Sequence, residues 1–87
     1  MTAQPSPRPL YIIAREILDE IHGEHWKAPS RAYAKPYATA MLQLSSIEDY
    51  YGTDSARSVV LYFLSNAGTW KGETARRIKT ELREILK

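Results

Sequence analysis

The sequence predicts an all-α fold: a compact four-helix domain with a central apolar third helix and a Pro-rich N-terminal arm. Three observations carry this. Apolar residues recur at three- and four-residue steps in four separate stretches. Glycines and prolines fall between those stretches, where helices stop and start. No stretch alternates apolar and polar side chains as a half-buried strand does. The 87 residues, 44% apolar and 25% charged, suffice for one hydrophobic core and one domain, expected over residues 10–87.

Residues 1–9, MTAQPSPRP, read as an extended, flexible arm, because the alternating Pro5, Pro7 and Pro9 exclude helix. Leu10 to Ile21 is the first helix. Leu10, Ile13, Ala14, Ile17, Leu18 and Ile21 form its stripe, and His22-Gly23 ends it. His25 to Lys35 reads as a connector that Trp26 and Tyr33 pin to the core. The second helix is expected over Pro36 to Tyr51, with Pro36 at its first position. Its stripe is Tyr37, Ala40, Met41, Leu44, Ile47 and Tyr51, and Gly52 ends it. The third runs from Asp54 to Ala67, capped by Thr53 or Asp54. It is apolar nearly all round, which marks it as central, with Val60 and Phe63 fully buried. The fourth opens at Thr69 or Gly72 and runs to about Leu86 on a narrow stripe of Ala75, Ile78, Leu82, Ile85 and Leu86.

Composition excludes several functions. Without cysteine there is no disulfide scaffold, Cys-ligated zinc or thiol nucleophile. The longest apolar run, Val59 to Leu64, is far short of the ~20 residues that cross a bilayer. No membrane association is expected, and no secretory leader is read at the N-terminus, so a cytoplasmic location is expected. His22-Gly-Glu-His25 resembles a metal pair, but Gly23 breaks the helix between the imidazoles, and no zinc is expected. Glu48 and Asp49 are adjacent, so they diverge by about 100° on a helix and cannot share a proton. There is no nucleophile elbow and no phosphate-cradling glycine loop. The expectation is no enzyme, no catalytic residues and no cofactor.

Charge is unevenly placed within a net +2. Residues 1–52 hold five Lys/Arg and six Asp/Glu, and residues 53–87 hold seven and four, or +3. On the fourth helix Arg76, Lys79, Arg83 and Lys87 share a ridge, while Glu73, Arg77, Glu81 and Glu84 lie on the opposite flank. Such a ridge suits a phosphate backbone or an acidic protein groove; it also suits a solvated face whose long side chains cover the core edge. Two helix-turn-helix placements are open. Helices three and four are the better pair, with Lys71, Thr74, Arg76, Arg77 and Thr80 facing DNA and Glu73 opposing phosphate. The second feature is aromatic. Two tryptophans, one phenylalanine and six tyrosines exceed what a small bundle readily buries, and surplus tyrosine surface serves protein interfaces; the other reading is a tight bundle that takes most of them, with hydroxyls at the rim. Candidate partner-binding residues are Arg76, Lys79, Arg83 and Lys87 on the ridge, with Tyr50, Tyr62 and Trp70.

The stretch Met41 to Leu86, carried by YYGTDSARSVVLYFLSNA and TWKGETARRIK, resembles small uncharacterised helical proteins encoded by bacteriophages and prophages. The resemblance implies a compact accessory protein with no catalytic residues. By class analogy it implies binding of a host protein or ribonucleoprotein in a bacterial cytoplasm, for example to inhibit a host defence such as a CRISPR effector. A small DNA- or RNA-binding protein that uses the ridge is the alternative.

Overall fold

The computed structural model describes residues 8–87 as four helices and one short hairpin. They run in the order α1 (Leu10–Glu20), α2 (Ser30–Met41), β1 (Tyr50–Tyr51), β2 (Asp54–Ser55), α3 (Ala56–Ser65) and α4 (Glu73–Leu86). The expected arm falls mainly on residues 1–7, outside the described ones. Arg8 and Pro9 are described, and Arg8 is docked: its guanidinium grips both oxygens of Glu81 at 2.8 and 2.7 Å and reaches Glu16 at 2.7 Å. The flexible arm read over residues 1–9 is therefore corrected at Arg8, which is docked.

α1 forms where its stripe predicts, burying Leu10, Ile13, Ala14 and Ile17, with Ile21 as C-cap. Its N-terminus has no side-chain cap. Leu10 N–H donates to the Ser45 carbonyl at 3.0 Å and Tyr11 N–H to the Leu44 carbonyl at 2.9 Å. These bonds explain the largest correction to the expected elements. The second helix ends at Met41 instead of Tyr51, because the next carbonyls serve α1. The chain beyond is held by Asp49, whose carboxylate accepts from Ser45 N–H at 2.7 Å and Ser46 N–H at 3.2 Å. Those amide bonds, Ser45 first, keep the Asp49 carboxyl below the usual aspartate range.

α2 begins six residues before Pro36, so Pro36 lies inside the helix and not at its start. Proline removes the bond to the Ala32 carbonyl, a loss of ~3 kcal/mol or more in a helix interior. Both residues are exposed, so water can satisfy that carbonyl. The buried stripe is Ala34, Ala38, Ala40 and Met41. Small alanines let α2 lie close against α3 and α1, its two packing partners.

The hairpin replaces the helix–helix turn expected at residues 51–53. Tyr50 pairs with Ser55 and Tyr51 with Asp54, antiparallel across Gly52-Thr53. Gly52 has φ 62° and Thr53 a negative φ, the type II′ pattern that suits a two-residue hairpin loop. Two residues per strand are too few to show alternation. Ser55 then caps α3, its hydroxyl accepting from Ser58 N–H at 3.1 Å, so the cap falls one residue after Asp54.

α3 buries Ala56, Val59, Val60 and Phe63 and packs on α2, α4 and the hairpin, the central position expected of it. Trp26 and Trp70 stack at 5.0 Å and 12°, and Phe63 meets both edge-on at 6.1 Å. This cluster closes the core between the two long loops. At the N-cap of α4, Gly72 has φ 109°, a backbone only glycine adopts readily. A Cβ there would lie 2.9 Å from His25 Nδ1, so glycine also permits the close approach in which Lys71 N–H donates to the His25 carbonyl. No polar or charged residue is buried among those described.

Candidate functional site

α4 sorts its charges into two kinds. On the flank facing α1, Arg77 bonds Glu16 at 2.7 Å, Glu16 bonds Arg8, and Arg8 bonds Glu81. Two arginines and two glutamates thus close a neutral network. The guanidiniums of Arg77, then Arg8, hold the Glu16 carboxyl below its usual range, and the carboxylate of Glu81 raises the Arg8 pKa.

The other flank is uncompensated. Lys71, Arg76 and Arg83 have no carboxylate partner among the described residues. Lys79 donates its Nζ to the Trp70 carbonyl at 2.8 Å. Burial lowers its pKa, helped by the neighbouring charges of Lys71 and Arg83. These four cations line a depression of about 260 Å³ with Gly72 and Thr80. Ala75 and an edge of Trp70 form its floor, and Glu73 does not reach it.

The expected ridge is therefore changed at both ends. Lys87 leaves it, because its Nζ pairs with Glu84 at 3.0 Å. Lys71 joins it, because the Gly72 turn folds the preceding loop against α4. Trp70, read as a partner contact, is instead core: it is 1% exposed and its indole N–H donates to Glu20 at 3.0 Å. Surface tryptophan and buried tryptophan look alike in a loop sequence. Here the partner that buries it, Trp26, is 44 residues away.

The helix-turn-helix placements do not form as drawn. The hairpin separates α2 from α3, and seven residues, Asn66 to Gly72, join α3 to α4 where the motif uses a turn of about 3–4. Of the proposed DNA-facing set, Arg77 is held by Glu16 and Thr74 is half-buried. His22 and His25 are both exposed. His22 Nε2 lies 3.4 Å from Lys35 Nζ, and His25 packs at Gly72.

The aromatic surplus collects at the α2–α3 junction. Tyr62 is 54% exposed and its ring lies 5.5 Å from Tyr37, which is half-buried. Tyr33, one helical turn before Tyr37, is 62% exposed and does not pin the connector to the core. Leu61 is 48% exposed on the adjacent side of α3. Tyr50, on the hairpin that packs against α3, is 68% exposed. Tyr33 and Tyr37 were legible as a pair only if the helix began before Pro36, since their four-residue spacing puts them on one face only in a helix.

Comparison with protein families, with curated proteins and with solved structures finds no match to this chain. Among the described residues, no helix is long and apolar enough to cross a membrane.

Proposed function

We propose that this chain is a non-enzymatic binding protein that acts by protein–protein contact, with Tyr33, Tyr37 and Tyr62 at the α2–α3 junction as its contact face. One observation carries the reading: Tyr33 and Tyr62 stay more than half exposed although the adjacent core is closed. Tyrosine supplies large, rigid contact area with few torsions to freeze, and is enriched in interface cores. The hairpin, with Tyr50, extends the same exposed aromatic character. The resemblance of Met41–Leu86 to small phage and prophage proteins supports a partner in a bacterial cytoplasm, a host protein or ribonucleoprotein. Interference with a host defence fits that class.

The test is affinity capture from bacterial lysate with the parent chain and the Tyr33→Ala/Tyr62→Ala double variant, each before and after nuclease treatment. The expected result is a defined protein retained by the parent after nuclease and lost by the double variant, whose melting curve stays close to the parent's. Retention unchanged by the double variant, or no nuclease-resistant partner, would overturn the reading.

A further inference from the structure

The depression on α4 has a composition unlike the tyrosine face. Its side-chain groups are donors: the ammonium groups of Lys71 and Lys79, the guanidiniums of Arg76 and Arg83, and the Thr80 hydroxyl. No carboxylate lines it. Elsewhere Arg8 and Arg77 meet Glu16 and Glu81, Arg57 donates to the Leu86 carbonyl at the end of α4 at 2.6 Å, and Arg15 lies over the Tyr11 ring. Here it gathers four cations, two of them at the unfavourable four-residue spacing of Lys79 and Arg83, and leaves them without a counter-charge.

We infer that this depression binds the phosphodiester backbone of a nucleic acid. Lys, Arg and Thr side chains and backbone N–H groups are the repertoire that contacts phosphate without reading bases. Shape separates a polymer from a free phosphate. From Arg76 to Arg83 the cations extend about 10 Å along α4, roughly three 3.4 Å steps of one strand, where a single phosphate would need donors converging on one point. Composition separates a nucleic acid from an acidic protein. Protein interfaces are depleted of charged residues, whereas four of the eight residues that line this depression are cations and none is a carboxylate. Lys79 is fixed by the Trp70 carbonyl, which pre-orients its remaining donors, while Lys71, Arg76 and Arg83 approach from the rim. Trp70 is buried, so no stacking platform for bases accompanies the cations; contacts to phosphate alone carry no sequence information, so binding is indifferent to sequence.

The experiment is fluorescence anisotropy with labelled random-sequence oligonucleotides, single-stranded and duplex, DNA and RNA, between about 50 and 200 mM salt. Poly-glutamate and inorganic phosphate serve as competitors. With three to four phosphates contacted, the slope of log affinity against log salt should be about −3, a loss of roughly 60-fold across that range. The Arg76→Gln/Arg83→Gln variant should flatten the slope by about two and weaken all sequences alike. A Lys27→Gln/Lys35→Gln variant removes the same charge outside the depression and should leave the slope near the parent's. Both variants change exposed side chains, and circular dichroism melts check that they fold. Binding lost in the first variant and kept in the second supports the site. No binding at the lowest salt, equal loss in both variants, or displacement by poly-glutamate or phosphate at matched charge overturns it. None of these readouts involves Tyr33 or Tyr62, so the fate of the protein-contact reading is decided separately.

Discussion

Trp70 distinguishes a core residue from a contact residue, and the structure sets the size of the difference. Its indole is 1% exposed, stacked on Trp26, met edge-on by Phe63, and bonded through its N–H to Glu20. Trp70→Ala removes all of these and leaves a cavity beside Trp26, at a cost of about 3–5 kcal/mol. The whole stability expected of 87 residues is about 4–13 kcal/mol, so the variant retains a fraction of it or none. At ~4–8 °C per kcal/mol for a domain of this size, the melting temperature should fall by at least ~12 °C. Trp70→Phe keeps a ring in the stack and loses the bond to Glu20, so it should fall between parent and alanine, about 1–2 kcal/mol below the parent. Circular dichroism melts and urea titrations of the three proteins measure the series. The Lys79 clasp adds a second readout, because its acceptor is the Trp70 carbonyl: loosening the indole should also weaken nucleic-acid binding in Trp70→Phe. A Trp70→Ala protein that melts within a few degrees of the parent would refute the buried aromatic cluster.

Two further predictions follow from local bonds. Ser55→Ala removes the acceptor for Ser58 N–H at the start of α3 and should lower stability by about 1 kcal/mol, while Ser55→Asp should retain it; the urea midpoint reads both. Glu16 titrates lower when folded than its ordinary 4.5, because Arg77 and then Arg8 bond its charged form. A depressed carboxylate contributes stability above its unfolded pKa and loses it as pH falls through the folded value. The melting temperature should therefore decline below about pH 5, with Glu16→Gln losing part of that decline. The pairs are a quarter to half exposed, so the contribution is ~1 kcal/mol or less. An identical acid profile in parent and variant would remove Glu16 from the account.

α1 and α4 were legible because each carries its own period and its own stop. Leu10, Ile13, Ala14 and Ile17 are buried as their spacing predicts, and so are Ala75, Ile78 and Leu82. α2 was misread because its apolar period runs on past Met41 through Leu44 and Ile47, residues that do reach the core or its edge. They reach it from a loop, and the deciding interactions are the Asp49 carboxylate on Ser45 and Ser46 and the two carbonyls given to α1. Neither leaves a mark on hydrophobic spacing. Pro36 misled in the opposite direction, since a proline on an exposed face is tolerated within a helix. The ridge was visible as a wheel position, but the pairing that empties one flank required Arg8 to come back from 73 residues away to Glu81. Sequence places charges on a helix; only the packed neighbours decide which of them remain uncompensated.

The two faces are separated by α3, which carries Tyr62 and contributes no residue to the lining of the depression. Measured round α3 from Ala56, Tyr62 lies near 240° and turns toward α2, while Arg57 and Leu64 lie near 100° and 80°. Arg57 holds the end of α4 through the Leu86 carbonyl, so that side of α3 carries α4. The buried stripe of Ala56, Val60 and Phe63 runs between the two sides. α2 and α4 thus flank α3 on opposite edges, and the tyrosines and the cations are borne by different edges. A partner protein seated on Tyr33 and Tyr62 leaves Arg76 and Arg83 open to a nucleic acid, which is the arrangement a ribonucleoprotein partner would exploit. It follows that the Tyr33→Ala/Tyr62→Ala and Arg76→Gln/Arg83→Gln effects should add, because the two sets lie on different elements, the tyrosines on α2 and α3 and the arginines on α4.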